Sequence, residues 1–162
     1  MTAKTGSAAF FSLVNNRLKF NLFLFRKLPS AYFSGVRVRN VNGNSCQVTV
    51  PYKWFSQNPF RSTYFACLAM AAEMSTGILS MAHVYQRRPA VSMLVTALEA
   101  KYFKKAVALT TFTCTDGLAI RDAVEKAVAT GEAQMIIAKS VGKNDQGETV
   151  AEFLITWSFK SK

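Results

Sequence analysis

Residues 62–85 read STYFACLAMAAEMSTGILSMAHVY, and their reading decides the fold. Apolar and small side chains fall on every side of the segment, Glu73 is its only acid, and His83 stands near its end. A helix without a polar face is a buried helix. The stretch is therefore expected at the centre of a core, with the rest of the chain wrapped around it.

Working back towards the N-terminus, the apolar period changes from helical to alternating. Val36 and Val38 alternate with Arg37 and Arg39, then Cys46, Val48, Val50 and Tyr52 alternate with Ser45, Gln47 and Thr49. Asn42-Gly43 between them suits a tight hairpin turn, and Pro51 ends the second strand or places it at an edge. Earlier still, Phe11, Val14, Leu18, Leu22 and Phe25 recur in steps of three and four, opposite Ser12, Asn15, Lys19 and Arg26. That pattern predicts one amphipathic helix from about Ala8 to Leu28, closed by Pro29. Two placements are open for it: packed on the domain or a partner subunit, or lying on a membrane surface. Residues 1–29 are read as this extra helix and 30–162 as the folded domain.

Working forward, four alternating stretches are predicted at Val91–Phe103, Val107–Thr115, Glu132–Val141 and Thr149–Phe159. Asn144-Asp145-Gln146-Gly147 joins the last two as a turn. Leu118–Thr130 has helical spacing and Gly131 just beyond it. The order is helix, two strands, buried helix, two strands, short helix, two strands. Strand and helix do not alternate, so a doubly wound parallel sheet is excluded and the class is α+β.

Composition narrows the function. The chain has 162 residues, half of them apolar and 18% charged, which excludes disorder. No uninterrupted apolar run is long enough to span a bilayer. Cys46, Cys67 and Cys114 form no CxxC and His83 is the single histidine, which argues against a zinc site or a histidine-based triad. Scattered thiols without a signal peptide are expected of a cytoplasmic protein. The net charge is +11, and nine basic residues precede the first acid, Glu73. That asymmetry suggests an anionic partner, although solubility alone also accounts for net charge. The sequence has no nucleic-acid-binding motif.

One helix wrapped by a six-stranded antiparallel sheet is the hotdog architecture. Asn58-Pro59-Phe60-Arg61-Ser62-Thr63-Tyr64-Phe65-Ala66, followed by Glu73, resembles the helix-entry signature of hotdog thioesterases. In the phenylacetyl-CoA-type branch this reads Asn-x-x-Gly-x-x-His-Gly-Gly, with an acid nine residues after the histidine. Asn58 stands at the family's Asn, Tyr64 at the His and Glu73 at the acid. The sequence is still more similar to thioesterase-like hotdog proteins carrying Asn-Pro-Phe-Gly-Ser-x-Tyr-Phe and then Glu. Arg61 departs from the glycine, and Phe65-Ala66 from the Gly-Gly pair; either change is expected to narrow the site.

The resemblance implies acyl-CoA thioester hydrolysis with Glu73 and Asn58 as catalytic residues. Such chemistry needs an attacking water or carboxylate and donors for the oxyanion. Residues Ser62–Phe65 form the helix's first turn, whose free N–H groups suit that anion. The substrate-binding set is Arg61, Ser62, Thr63, Tyr64, Phe65, Ser92 and Thr96, the last two on one strand face. Glu73 lies roughly 12–17 Å from Asn58 along the helix. The resemblance implies that antiparallel helices in a homodimer, or a higher oligomer, bring Asn58 of one copy to Glu73 of the other. Against this, Glu73 could be a buried structural carboxylate neutralised by an arginine or by backbone donors, and Asn58 a turn or capping residue. Arg87, Arg88, Lys101, Lys104 and Lys105 suit the phosphates of coenzyme A, or a solvated strand end. No metal or organic cofactor is implied. The alternatives are a noncatalytic acyl-thioester or fatty-acyl binder, favoured by Arg61 and the missing Gly-Gly, and a peripheral membrane protein, favoured by the N-terminal helix and basic half.

Overall fold

The structure is a computed structural model that describes residues 3–162. It has five α-helices, α1 (Ala3–Asn15), α2 (Arg17–Lys27), α3 (Pro29–Ser34), α4 (Phe65–Val84) and α5 (Gly117–Thr130), and a 3-10 turn at Trp54–Ser56. Its six strands are β1 (Arg37–Val41), β2 (Cys46–Val50), β3 (Val91–Tyr102), β4 (Thr110–Cys114), β5 (Gln134–Lys143) and β6 (Thr149–Ser161). They form one antiparallel sheet in the order β1-β2-β4-β5-β6-β3. The sheet wraps α4, and the architecture is the hotdog fold in the α+β class.

α4 is apolar enough and long enough to cross a bilayer by composition, yet most of it is packed inside the protein. Leu68, Ala71, Ala72 and Leu79 are buried against Phe112, Phe153, Ile155 and Phe159 of the sheet and the rest of a single core. Its few hydroxyls are satisfied locally. Ser75 bonds the Ala72 carbonyl and Ser140 of β5, and Thr76 bonds back to the Glu73 carbonyl while accepting from Trp157 Nε1 at 2.9 Å. Such back-bonding lets polar side chains sit in a core helix without an unpaired group.

The predicted N-terminal helix is two helices. Asn16 interrupts it as an N-cap, its side chain accepting from the Lys19 N–H. The break changes which face is buried. Phe10 and Val14 of α1 enter the core, and then Phe20 and Leu24 of α2 do so, while Leu18, Leu22 and Phe25 face outward. Pro29 does not end the helical region either. It starts α3, where a proline at the first position loses no hydrogen bond, and Gly35, with φ of 80°, closes it.

The β1–β2 connection also departs from expectation. Asn42 Oδ1 accepts from the N–H groups of Asn44 and Ser45, and the Asn42 N–H donates to the Ser45 carbonyl. Gly43 is not left-handed, because this Asx-type loop turns the chain without the two-residue hairpin geometry. The β5–β6 turn does use its glycine, with Gly147 at φ of 80°.

Candidate functional site

The loop before α4 is built by Asn58. Its Oδ1 accepts from the Phe60 N–H at 3.0 Å, the Ser62 N–H at 3.3 Å and the Ser62 hydroxyl at 3.2 Å. Its backbone N–H donates to the Ser62 carbonyl, and the Thr63 N–H donates to the Ala106 carbonyl at 2.7 Å. These bonds fix residues 58–63 against the segment after β3. Arg61 has φ of 57°. The position that is glycine in the resembling proteins thus keeps the left-handed backbone that favours glycine, at a cost of order 1 kcal/mol for an arginine. Asn58 Nδ2 makes no hydrogen bond among the described residues. The side chain therefore serves the fold with its oxygen and leaves its amide donor available.

α4 begins immediately after this loop. Tyr64 is the N-cap residue but provides no side-chain cap, so the N–H groups of Phe65 and Ala66 have no acceptor among the described residues. A cleft of about 530 Å³ opens there, lined by Asn58, Phe60, Thr63, Phe65, Leu68 and the segment Tyr102–Ala106. The Thr63 hydroxyl is buried without a hydrogen-bond partner. Lys104 and Lys105 stand at the rim, Lys104 paired with Glu148 and Lys105 close to the Phe60 carbonyl. The cleft thus presents unpaired donors at the positive end of a helix dipole.

Glu73 lies elsewhere. It faces a cavity of about 100 Å³ lined by Phe10, Phe20, Phe23, Met74, Ile78 and Met93 among others, and it borders a second cleft formed with residues 27–31 and Met70. These apolar surroundings push its carboxyl pKa up, with desolvation as the sole cause. Glu73 makes no ion pair among the described residues. The cavity's N-terminal wall, from α1 and α2, was not legible in the sequence. Phe20 and Phe23 do not lie on the apolar stripe its periodicity picks out.

Within one chain, the clefts holding Asn58 and Glu73 have no lining residue in common. The protein brings together Asn58, Ser62, Thr63, Tyr64 and Phe65 and leaves Glu73 further along α4. Ser92 and Thr96 point their hydroxyl hydrogens at β6, to the carbonyls of Lys160 and Thr156. The β3–β6 register slips between Val95 and Ala97, so the regular alternation expected across that pair of residues is interrupted.

The five basic residues do not form one cluster. Arg87 is held bidentately by Glu125 at 2.8 and 2.6 Å, at the C-terminal end of α4 beside exposed Arg88. Lys104 and Lys105 lie near the opposite end of that helix, and Lys101 pairs weakly with Glu99 on β3 at 3.7 Å. Arg87 is committed to a carboxylate because the α4–α5 packing places Glu125 opposite it, a contact no sequence pattern announces. His83, also on this side, has its pKa lowered, chiefly by burial, and its Nε2 is buried without a partner. Among the described residues no group of metal-ligating side chains occurs.

The fold has many solved counterparts. A protein of unknown function from Pseudomonas aeruginosa, described as a probable thioesterase, superposes with a TM-score of 0.76 at 19% identity over 90% of this chain and 96% of its own. A protein of unknown function from Chlorobaculum tepidum gives 0.74 at 16% identity, over 90% and 94%. A thioesterase from Haemophilus influenzae gives 0.64 at 13%, over 90% and 91%. No curated protein matches the sequence. Residues 17–159, from the start of α2 to β6, match the family model of a domain of unknown function, DUF4442, and the chain belongs to that family.

Proposed function

We propose that the protein hydrolyses an acyl thioester, with coenzyme A as the expected carrier, in a site completed by a second copy of the chain. The observation that carries this reading is Glu73: an acid on the central helix, desolvated, without an ion pair among the described residues, and bordering an apolar cavity. A raised pKa brings a carboxylate towards the range in which it is an effective general base near neutrality.

The chemistry divides between the N-terminus of α4 and Glu73 near its middle. Glu73 takes a proton from water as the water oxygen adds to the thioester carbonyl. The N–H groups of Phe65 and Ala66, at the positive end of the helix, hold the oxyanion, and Asn58 Nδ2 orients the same oxygen. Collapse of the adduct breaks the C–S bond, and the proton moves from Glu73 to the departing thiolate sulfur. The apolar cavity beside Glu73 suits the acyl chain. Lys104 and Lys105 line the Asn58 cleft and suit the phosphates of coenzyme A.

Asn58 and Glu73 face separate clefts, so a second copy has to supply one of them. β3 supports such an assembly, because its outer edge is unpaired over twelve residues and it exposes Leu94 and Leu98. An uncovered edge of that length is a template for antiparallel pairing. Phe65 and Ala66 at the Gly-Gly positions favour the second reading, a noncatalytic acyl-thioester binder, because an exposed phenyl ring there takes space that glycine would leave open. Release of free thiol from short, medium and long acyl-CoAs decides between them. Turnover supports the hydrolase, and saturable binding without thiol release supports the binder.

A further inference from the structure

α2 buries one face and leaves an equally apolar one outside. Phe20 and Leu24 pack into the core, while Leu18, 84% exposed, lines up with Leu22 and Phe25 in steps of four and three on the outer face. At 100° per residue these three span about 60° of the helix. Lys19 and Arg26 flank them on one side and Arg17 on the other.

The stripe continues beyond the helix through aromatic rings in contact. Phe25 meets Phe33 of α3 with ring centroids 6.1 Å apart, Phe33 meets Phe55 at 5.6 Å, and Phe55 meets Trp54 at 5.7 Å. Each of these rings is exposed, and Trp54 at 79% is the outermost. A connected apolar surface of this kind marks an interaction site.

The charges name the occupant. Residues 1–72 contain nine basic side chains and no acid. In a twofold interface centred on the stripe, Arg17, Lys19 and Arg26 would meet their own copies, and like charges in apposition oppose docking. An anionic bilayer instead offers headgroups to the flanking cations and a hydrocarbon boundary to the leucines and aromatic rings. Tryptophan favours that same boundary, where one part of its ring system is apolar and the N–H stays wet. We infer that the outer face of α2, with the Phe25–Phe33–Phe55–Trp54 string, docks the protein on anionic lipid bilayers as an interfacial element. The inference is independent of the thioester reading, since it uses neither Asn58 nor Glu73.

The test uses the full chain and vesicles of phosphatidylcholine, alone or with phosphatidylglycerol. The chain has two tryptophans, and Trp157 is buried, so a blue shift of emission on adding vesicles reports Trp54. The expected result is a shift with anionic vesicles that weakens as salt is raised and is absent in Trp54→Phe. Co-sedimentation should fall at least about tenfold in Leu22→Glu/Phe25→Glu. Leu18→Glu/Trp54→Glu, at the two most exposed positions, repeats the measurement with least risk to folding, and an unchanged thermal midpoint certifies it. No shift and no sedimentation with anionic vesicles at low salt would overturn the inference. So would equal binding by both folded variants, or a wild type that ignores vesicles while the variants change its oligomeric state.

Discussion

The carboxylate of Glu73 occupies the space that a side chain at Gly77 would fill. A methyl group on Gly77 would stand 2.9 Å from Glu73 Oε1 and 3.4 Å from the Trp157 ring. Glycine in the middle of a helix is unfavourable by roughly 0.5–1 kcal/mol against alanine, and here its bareness gives the acid its position one turn back on α4.

Gly77→Ala should therefore separate the acid's placement from the stability of the fold. Oε1 is the far end of a flexible side chain and can swing away, and the helix gains from alanine. The expected thermal midpoint is within a few degrees of wild type, while thioester turnover falls about tenfold or more through misplacement of the base. Unchanged turnover in a folded Gly77→Ala protein would show that the Glu73 rotamer seen here is not the working one.

Glu73→Gln tests the acid directly. Loss of the base should lower hydrolysis at least about 10²-fold. The stability effect has a definite sign, because burial raises the folded-state pKa above its ordinary value and no cation lowers it again. The folded protein then binds more protons than the unfolded chain between the two pKa values. Stability is full below the unfolded pKa, near 4.5, and falls as pH rises towards the folded one. The glutamine variant lacks this loss, so its thermal midpoint should exceed wild type at neutral pH and approach it in acid. Destabilisation at neutral pH would reveal a cationic partner for Glu73 in the working assembly.

The N-terminal helices give a paired prediction. Leu24→Ala removes a fully buried side chain of α2 and should cost about 2–5 kcal/mol. Leu18→Ala changes an outward residue and should stay within about 0.5 kcal/mol. Chemical denaturation of both variants checks the ranking, and a reversed order would mean that α2 packs with its other face.

The same contrast shows where sequence reading stops. Core helix α4 was legible because a segment with one acid in twenty residues has no polar face and must bury every side. The strands after it followed from alternation, with ends displaced by a few residues. In α2 the run Phe20–Phe25 is apolar on two faces, and periodicity alone does not choose between them; the Asn16 cap chooses by resetting the helix direction. At the site, the Asx turn of Asn58 was legible from local chemistry. The lack of an ion pair at Glu73 among the described residues, the capture of Arg87 by Glu125 and the positive φ of Arg61 depend on tertiary placement, which no local spacing encodes.

The most demanding prediction concerns the division of the site between copies. Asn58→Asp keeps the oxygen that accepts from Phe60 and Ser62, so the loop should survive, but it removes the Nδ2 donor. Asn58→Asp and Glu73→Gln should each be nearly inactive alone. When the two variants are unfolded together and refolded in equal amounts, half the dimers are mixed by random pairing. In a mixed dimer the intact Asn58 of one copy faces the intact Glu73 of the other, and the remaining site carries both substitutions. Activity should then recover to about a quarter of wild type, because one site in two is restored in half of the dimers. A site contained within one chain predicts no recovery at all, since every chain in the mixture carries one defect. Size-exclusion chromatography shows that dimers formed, and ion exchange separates the mixed dimer, because Asn58→Asp adds an acidic group and Glu73→Gln removes one. Recovery without dimers, or mixed dimers without recovery, would refute the shared site.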